Sequence, residues 1–455
     1  MKNNSLIILL RLGLYAAAFT PLIIFSDYIS PFHFGKALVF RTLIQLLVVL
    51  YVVLLLRDKT FLPPRTPLFW AITAFTAAFG LTTLTSFNSY QSFWGSLERM
   101  GGWFSFLHFW LYFTIATAVL RKKEDWLTLV KISLFVSLLS AGYGFLQKTD
   151  IKWVIGSGGR VKIFGTLGNP ALFAGYMIFN LSLGLMLFFQ PAVNKNSKRF
   201  YLSVFLISSL AVLMTGVRGS ALAVVVGILL FGFLYAFHLG SAKIKRLTIA
   251  FLVLVVVSGT GLFLLKNADF VKTNQYLARY SDFSPTAYTV NTRFWAWQAG
   301  FNGWNDSTRT VLMGYGPENF NIPFSKYFNP KFYRGPGSET LFDRAHNQFI
   351  EVLVTMGLLG LAAYLSIYFF AFRGLRHLGR EAGPAQKEMI VFKIGLTVAL
   401  VAYMIHNSFI FDTTANYLLF FLVLGLTDNL VYRSEPVPTA HPWPLTAARR
   451  TLAVL

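Results

Sequence analysis

The sequence contains no cysteine, which excludes disulfide bonds, thiolate catalysis and cysteine-ligated metal centres. It also lacks an Asp-x-Asp pair, a His-x-x-x-His pair and a nucleotide-binding glycine fingerprint. We therefore expect neither a bound metal nor a cofactor, and a reaction would have to draw its energy from an already activated substrate. Arginine is then the residue type left to neutralise negative charge on that substrate.

Charged residues are scarce, at 13% of the 455 residues, whereas 55% are hydrophobic and the mean hydropathy is +0.57. A chain of this length with so high an apolar content is typical of an integral membrane protein. Its apolar stretches are continuous over about 17–25 residues, the length that a bilayer-crossing helix needs, which favours helices over barrel strands. The predicted spans are 6–26, 37–56, 67–86, 101–120, 126–147, 169–190, 200–216, 219–238, 247–265, 346–371, 389–408 and 414–432.

Acidic residues are few, 18 against 40 Lys and Arg, and the basic residues cluster in alternate connections. By the positive-inside rule these connections face the cytoplasm, as do both termini. Topology thus explains much of the net charge, which argues against nucleic-acid binding. The clusters are Arg57, Lys59 and Arg65; Arg121, Lys122 and Lys123; Lys195, Lys198 and Arg199; Lys243, Lys245 and Arg246; and Arg373, Arg376, Arg380 and Lys387.

Only two outward connections are long, around 148–168 and around 266–345, and function is expected there. The longer one contains predicted helical pieces near 291–303 and 317–328. The predicted organisation is transmembrane helices 1–9 in residues 1–265, a large outer loop in 266–345, transmembrane helices 10–12 in 346–432 and a cytoplasmic tail in 433–455.

Three arginines on the predicted outer side lie in settings that suit an anionic group. Arg160 precedes a glycine-rich stretch that opens the sixth span at Asn169, and a helix start beside an arginine favours anions. Arg218 lies in a tight hairpin and Arg293 among aromatic residues, and each guanidinium offers a planar fork for phosphate oxygens. The alternatives are that Arg160 snorkels, that Arg218 binds carbonyls or lipid headgroups, and that Arg293 stacks on rings.

His346 lies in Arg344-Ala345-His346-Asn347 at the predicted start of the tenth span. Histidine exchanges protons near neutral pH, so His346 is a candidate base on the outer side. A structural role is the alternative for this residue. His406, near another outer end and with Asp412 as a possible partner, is a competing candidate.

These motifs together resemble the O-antigen ligase and O-antigen polymerase superfamily, over roughly residues 85–430. They are Arg160 with Gly-Thr-Leu-Gly-Asn-Pro, the Thr-Gly-Val-Arg-Gly-Ser hairpin, the long outer loop, and His346-Asn347 ahead of Gly-Leu-Leu-Gly. The resemblance implies a GT-C-like, all-α integral membrane fold of about twelve transmembrane helices with a large, partly helical periplasmic or extracellular loop. It also implies a multi-pass glycosyltransferase of the bacterial inner membrane, with its active site on the periplasmic face.

The implied reaction moves a glycan from an undecaprenyl-diphosphate-linked donor to a lipid, glycan or protein acceptor, with membrane lipid around the donor's tail. By the resemblance, His346 is the catalytic base and favours a single inverting displacement. Arg160, Arg218 and Arg293 bind the donor diphosphate without a metal ion. The supporting positions are Asn169, Asn347, Arg344, Glu98 and Arg99.

Other functions stay open from the sequence. A polysaccharide polymerase or a protein O-oligosaccharyltransferase of the same superfamily would share the donor and differ in the acceptor. A transporter or flippase of lipid-linked oligosaccharides is a more distant alternative. It should show repeated halves, interrupted helices and ionisable groups near the bilayer midplane, whereas the candidate groups here gather at one face.

Overall fold

A computed structural model describes residues 3–28, 30–158, 162–281, 288–335, 338, 340–380 and 383–432. Within these ranges the chain forms α-helices joined by turns and short 3-10 segments, and no strand occurs. The helices are α1 (Asn3–Ala17), α2 (Phe34–Arg57), α3 (Pro67–Leu84), α4 (Ser89–Trp94), α5 (Trp103–Val119), α6 (Lys123–Leu146), α7 (Pro170–Phe188), α8 (Lys195–Met214), α9 (Arg218–Leu239), α10 (Ala242–Leu264), α11 (Asp269–Thr273), α12 (Gln275–Ser281), α13 (Tyr288–Trp304), α14 (Thr308–Met313), α15 (Asn321–Lys326), α16 (Gln348–His377), α17 (Gln386–Asn407) and α18 (Thr414–Tyr432).

Eleven helices in the described part of the chain are long and apolar enough to cross a membrane. The span predicted at 101–120 corresponds to α5, a shorter apolar helix. Each of the other predicted spans overlaps one of the eleven, so the all-α integral membrane class is confirmed. We call the side of the bundle that carries the connection between α10 and α16 the loop face.

The helices differ strongly in how deeply they are buried within the protein. In α7, 89% of the apolar stretch is buried, because α6, α8, α9, α17 and α18 all pack against it. In α10 no residue is buried, and among the membrane helices it packs mainly against α9. The core is therefore centred on α7, and α10 lies at the edge.

Helix α16 reverses direction at Gly357, whose backbone dihedrals (φ 63°, ψ −166°) are not helical. The ring of Phe349 lies 5.8 Å from that of Tyr364 and 6.5 Å from that of Tyr368. In a straight helix, residues 349 and 364 would be about 22 Å apart. The sequence predicts one continuous span over 346–371. The structure instead has a short arm, 348–356, folded back along a crossing arm, 358–377.

The reversal requires glycine, since a Cβ at Gly357 would overlap the backbone of Leu312 in α14. Its dihedral region is also essentially restricted to glycine. We expect Gly357→Ala to destabilise the protein by roughly 1–3 kcal/mol or more, measured as a lower thermal unfolding midpoint in detergent. The control is Gly259→Ala in α10, where a Cβ meets nothing within 4 Å. Equal thermal unfolding midpoints for Gly357→Ala and Gly259→Ala would contradict the requirement for glycine at position 357.

Candidate functional site

His346 follows the large loop and directly precedes the capping residue of α16. It has a left-handed backbone (φ 52°) and its ring lies between those of Phe342 and Phe411, at 5.3 and 5.5 Å. Its Nδ1 lies 3.1 Å from the carbonyl oxygen of Arg344. Because a carbonyl oxygen only accepts, Nδ1 carries the proton and Nε2 presents a lone pair. The imidazole is thus in the tautomer that a general base needs.

The surroundings of His346 keep its imidazole neutral. Burial, together with the positive charges of Arg293 and Arg99, lowers the pKa of His346 to about 4, against opposite effects of the Arg344 carbonyl and of Asp343. At neutral pH the ring is therefore unprotonated. Because their charges act on His346, Arg293 of α13 and Arg99 of the connection before α5 lie near its ring.

Arg99 is held at this place by an acidic and an aromatic partner. Its guanidinium forms an ion pair with Asp343 and lies 4.9 Å from the centre of the Phe411 ring. Glu98 is 3.9 Å from it, at the limit of an ion pair. The guanidinium of Arg344 also lies over Phe411, at 5.3 Å. Arg99 and Arg293 both act electrostatically on His346, and we call these three residues the His346 group.

A small cavity of about 40 Å³ lies beside the His346 group and is lined by α3, α5, α16 and α18. One of its polar walls is Asp412, whose carboxylate accepts hydrogen bonds from Tyr403 and, at 3.1 Å, from Asn407. Burial raises the pKa of Asp412 to about 6. The backbone N–H of Asp412 donates to Gln348 at 3.1 Å, which ties the connection before α18 to the short arm of α16.

Arg218 belongs to a second cationic group with Arg279 and Lys162, which we call the Arg218 group. The Nε of Arg218 donates to the carbonyl of Arg279 at 2.9 Å, and the Nε of Arg279 donates in turn to the carbonyl of Gly216. Burial lowers the pKa of Lys162, and the charges of Arg279 and Arg218 lower it further. Arg160, the first predicted diphosphate ligand, lies outside the described residues.

The connection between α17 and α18 joins the two groups. The ring of Phe409 packs against Gly219, next to Arg218, so closely that a Cβ at Gly219 would overlap it. Two residues further on, Phe411 contacts the ring of His346. Two residues span at most about 7 Å. The Arg218 group and the His346 group therefore lie on the same face of the bundle, linked by one short segment.

The glycine-rich stretch before α7 is held rigidly by residues that the sequence analysis does not single out. The ammonium of Lys36 donates to the carbonyls of Thr166, at 2.7 Å, and Ile23, at 2.5 Å. The side-chain oxygen of Gln147 accepts from the N–H of Gly165 at 3.1 Å, and its amide nitrogen donates to the Gly165 carbonyl at 3.1 Å. A lysine in the first turn of an apolar helix is the one sequence signal for this role.

Two predicted supporting asparagines cap helices. The side chain of Asn169 accepts from backbone N–H groups in the first turn of α7, and Asn347 does the same for α16. The competing base, His406, is buried, with Nδ1 3.0 Å from Ser220 and Nε2 against Gly175. Its ring is thus directed between α7 and α9 and not toward the His346 group.

Within the described part of the chain, no cluster of three or more His, Cys, Asp or Glu residues is suited to hold a metal ion. The positive charge near His346 comes from Arg99, Arg293 and Arg344, and that near Gly216 comes from the Arg218 group. Such an arrangement of fixed cations beside a neutral base suits a substrate that gains negative charge as it reacts.

Comparison with known protein families gives a match in the middle of the chain. Residues 203–365 match the family model described as O-antigen ligase. The matched region contains Arg218, Arg293 and His346, as well as the reversal in α16. No curated protein matches the chain. The family match over residues 203–365, together with the all-helical membrane fold, supports membership of the O-antigen ligase superfamily.

Proposed function

We propose that this protein is a glycosyltransferase that moves a glycan from undecaprenyl diphosphate to an acceptor hydroxyl at the loop face, in the manner of an O-antigen ligase. The observation that carries the proposal is the neutral His346 imidazole, with its Nε2 lone pair, beside Arg293 and Arg99 and joined to the Arg218 group through Phe409 and Phe411. The family match supports the same class of reaction.

In the proposed reaction, Nε2 of His346 accepts the proton of the acceptor hydroxyl as that oxygen attacks the anomeric carbon. The bond between the anomeric carbon and the diphosphate oxygen breaks, and undecaprenyl diphosphate leaves with the electron pair. A diphosphate is a good leaving group, so the reaction needs no general acid. Arg218 and Arg293 stabilise the charge that develops on it, in the place that a divalent metal takes in other enzymes. Attack opposite the leaving group inverts the anomeric centre.

The proposed location is the bacterial inner membrane, with both termini in the cytoplasm and the loop face toward the periplasm. This orientation is supported by the basic clusters on the opposite face, such as Lys195, Lys198 and Arg199 at the start of α8. The donor's polyprenyl tail would lie in lipid beside the bundle, and only its diphosphate and glycan would reach the His346 and Arg218 groups.

The acceptor is tested by incubating the purified protein with undecaprenyl-diphosphate-linked glycan and a panel of acceptors. Lipid A core, a second lipid-linked glycan and a protein acceptor represent ligase, polymerase and protein glycosyltransferase activity. We expect transfer to lipid A core. Elongation of the lipid-linked glycan alone would identify a polymerase, and the absence of transfer to any member of the panel would contradict the proposal.

The pH dependence of transfer follows from the neutral imidazole. A base acts only when it is unprotonated, so the step of the kcat/KM profile that belongs to His346 should lie near its pKa of about 4 and not near 6.5. Because the Arg293 cation helps to lower this pKa, Arg293→Gln should move the acidic midpoint of kcat/KM upward. The absence of a step near pH 4, or an unchanged position of that step in Arg293→Gln, would contradict this role of His346.

A further inference from the structure

A buried ion-paired triad lies directly behind His346 and consists of Glu318, Arg344 and Glu351. Arg344 pairs with Glu318 and, at 3.3 Å, with Oε1 of Glu351. The three side chains are only 11%, 3% and 4% exposed for Arg344, Glu318 and Glu351, respectively. They come from three segments, the connection after α14, the end of the large loop and the short arm of α16.

The triad holds the peptide groups that precede His346. Oε2 of Glu351 accepts from the N–H of Ala345 at 2.6 Å. The carbonyl of Ala345 accepts from the indole N–H of Trp297 at 2.7 Å. The carbonyl of Arg344, the residue that the two glutamates clamp, is the partner of the imidazole Nδ1. Both the backbone and the ring tautomer of His346 are therefore fixed by atoms that the triad anchors.

Residues with strained backbone dihedrals lie around the triad. Among the described residues, three non-glycine residues have positive φ values: Met100 (50°), Glu318 (67°) and His346 (52°). Such conformations persist only where the surroundings impose them. Met100 precedes Gly101, where a Cβ would lie 2.6 Å from the Glu318 carboxylate and 2.9 Å from Arg344. Three segments that are distant in sequence are thus all strained where they pack against the triad.

We infer that Glu318 and Glu351, acting through Arg344, are positioning residues that hold the His346 ring in its base tautomer and aim its Nε2 at the acceptor. This inference rests on the proposed function. Burying three charges contributes little net stability, since well-packed hydrophobic residues of similar volume do as well or better. Stability alone therefore does not account for the cluster, whereas fixing the ring of a general base does.

Glu318→Gln and Glu351→Gln test the inference, with Glu388→Gln as the matched control. Glu388 pairs with Lys123 at 2.6 Å on the opposite face. The two triad variants should lower kcat roughly 10²-fold, the effect of a misplacement of about 1 Å, with the donor KM little changed. The control should keep wild-type kcat. Wild-type kcat per folded molecule in both triad variants would overturn the inference.

A triple variant separates positioning from stability. Glu318→Met, Arg344→Met and Glu351→Met together remove every charge and keep the volume, so the protein is expected to fold with an unfolding midpoint near or above the wild type. Its kcat should nevertheless fall at least as far as that of Glu351→Gln. A stable triple variant with wild-type kcat would show that the triad has only a structural role and does not position His346.

A measurement independent of transfer distinguishes failure of this inference from failure of the proposed function. In protein with ¹⁵N-labelled histidine, the His346 signal is identified by its loss in His346→Gln. The wild type should show one tautomer, with the proton on Nδ1, and Glu351→Gln should show exchange between two. An unchanged tautomer in Glu351→Gln would overturn the inference whether or not the wild type transfers glycan.

Discussion

Replacing His346 by alanine should lower glycan transfer by roughly 10²–10⁴-fold, the range that a positioned general base contributes. The physical reason is that the alanine variant has no group with a lone pair where Nε2 stands among Arg99, Arg293 and Phe411. The measurement is kcat with purified protein and saturating lipid-linked donor. Donor KM should change little, because the diphosphate ligands remain in place.

The control for this variant is His377→Ala. His377 lies in the last turn of α16, at the end of the crossing arm opposite the loop face. The His377→Ala variant should transfer glycan like the wild type. Both His377→Ala and His346→Ala should insert into the membrane and unfold at the wild-type temperature. Full activity of His346→Ala would remove the imidazole from the mechanism, even with the family assignment intact.

Replacing Arg218 by alanine should reduce kcat/KM roughly 10²–10³-fold, the effect of losing one preorganised donor to a developing negative charge. Arg218→Lys should fall between alanine and the wild type. Lysine keeps the positive charge, but it cannot both donate to the carbonyl of Arg279, as Nε of Arg218 does at 2.9 Å, and make a forked contact with phosphate oxygens.

Arg199→Ala is the matched control for Arg218, because it removes an exposed arginine near the start of α8, at the end opposite the hairpin that carries Arg218. Its kcat/KM should equal that of the wild type. Equal losses in Arg218→Ala and Arg218→Lys would argue against a forked phosphate contact. Unchanged kcat/KM in Arg218→Ala would place the donor diphosphate elsewhere.

The membrane helices could be predicted from the sequence because long apolar stretches leave the backbone no other way to satisfy its polar groups in lipid. The reversal of α16 could not. Gly357 lies inside an apolar run whose hydropathy is the same whether the chain continues or turns back. The turn depends on the close approach of α14 to Gly357, a contact between segments about 45 residues apart that periodicity does not encode. The break lies at one end of the crossing arm, unlike the midplane breaks expected of transporters.

The candidate site was predictable where residue type and sidedness sufficed. His346, Arg293 and Arg218 were singled out because a histidine and predicted outward arginines are unusual in such short or apolar settings. Glu318 was not predicted, because nothing in its local sequence shows that Arg344, 26 residues later, forms an ion pair with it. Arg344 and Asn347, both predicted as supporting residues, form part of the triad and the cap of α16, respectively.

In the proposed reaction, the His346 and Arg218 groups together cleave a lipid-linked diphosphate donor at the loop face. The most direct test reconstitutes the purified protein in liposomes with undecaprenyl-diphosphate-linked glycan and an acceptor, and measures both products. We predict equal molar amounts of glycosylated acceptor and free undecaprenyl diphosphate from the wild type, and a loss of both products by roughly 10²-fold or more in His346→Ala. Movement of intact donor across the bilayer without release of undecaprenyl diphosphate would contradict cleavage of the donor by this protein.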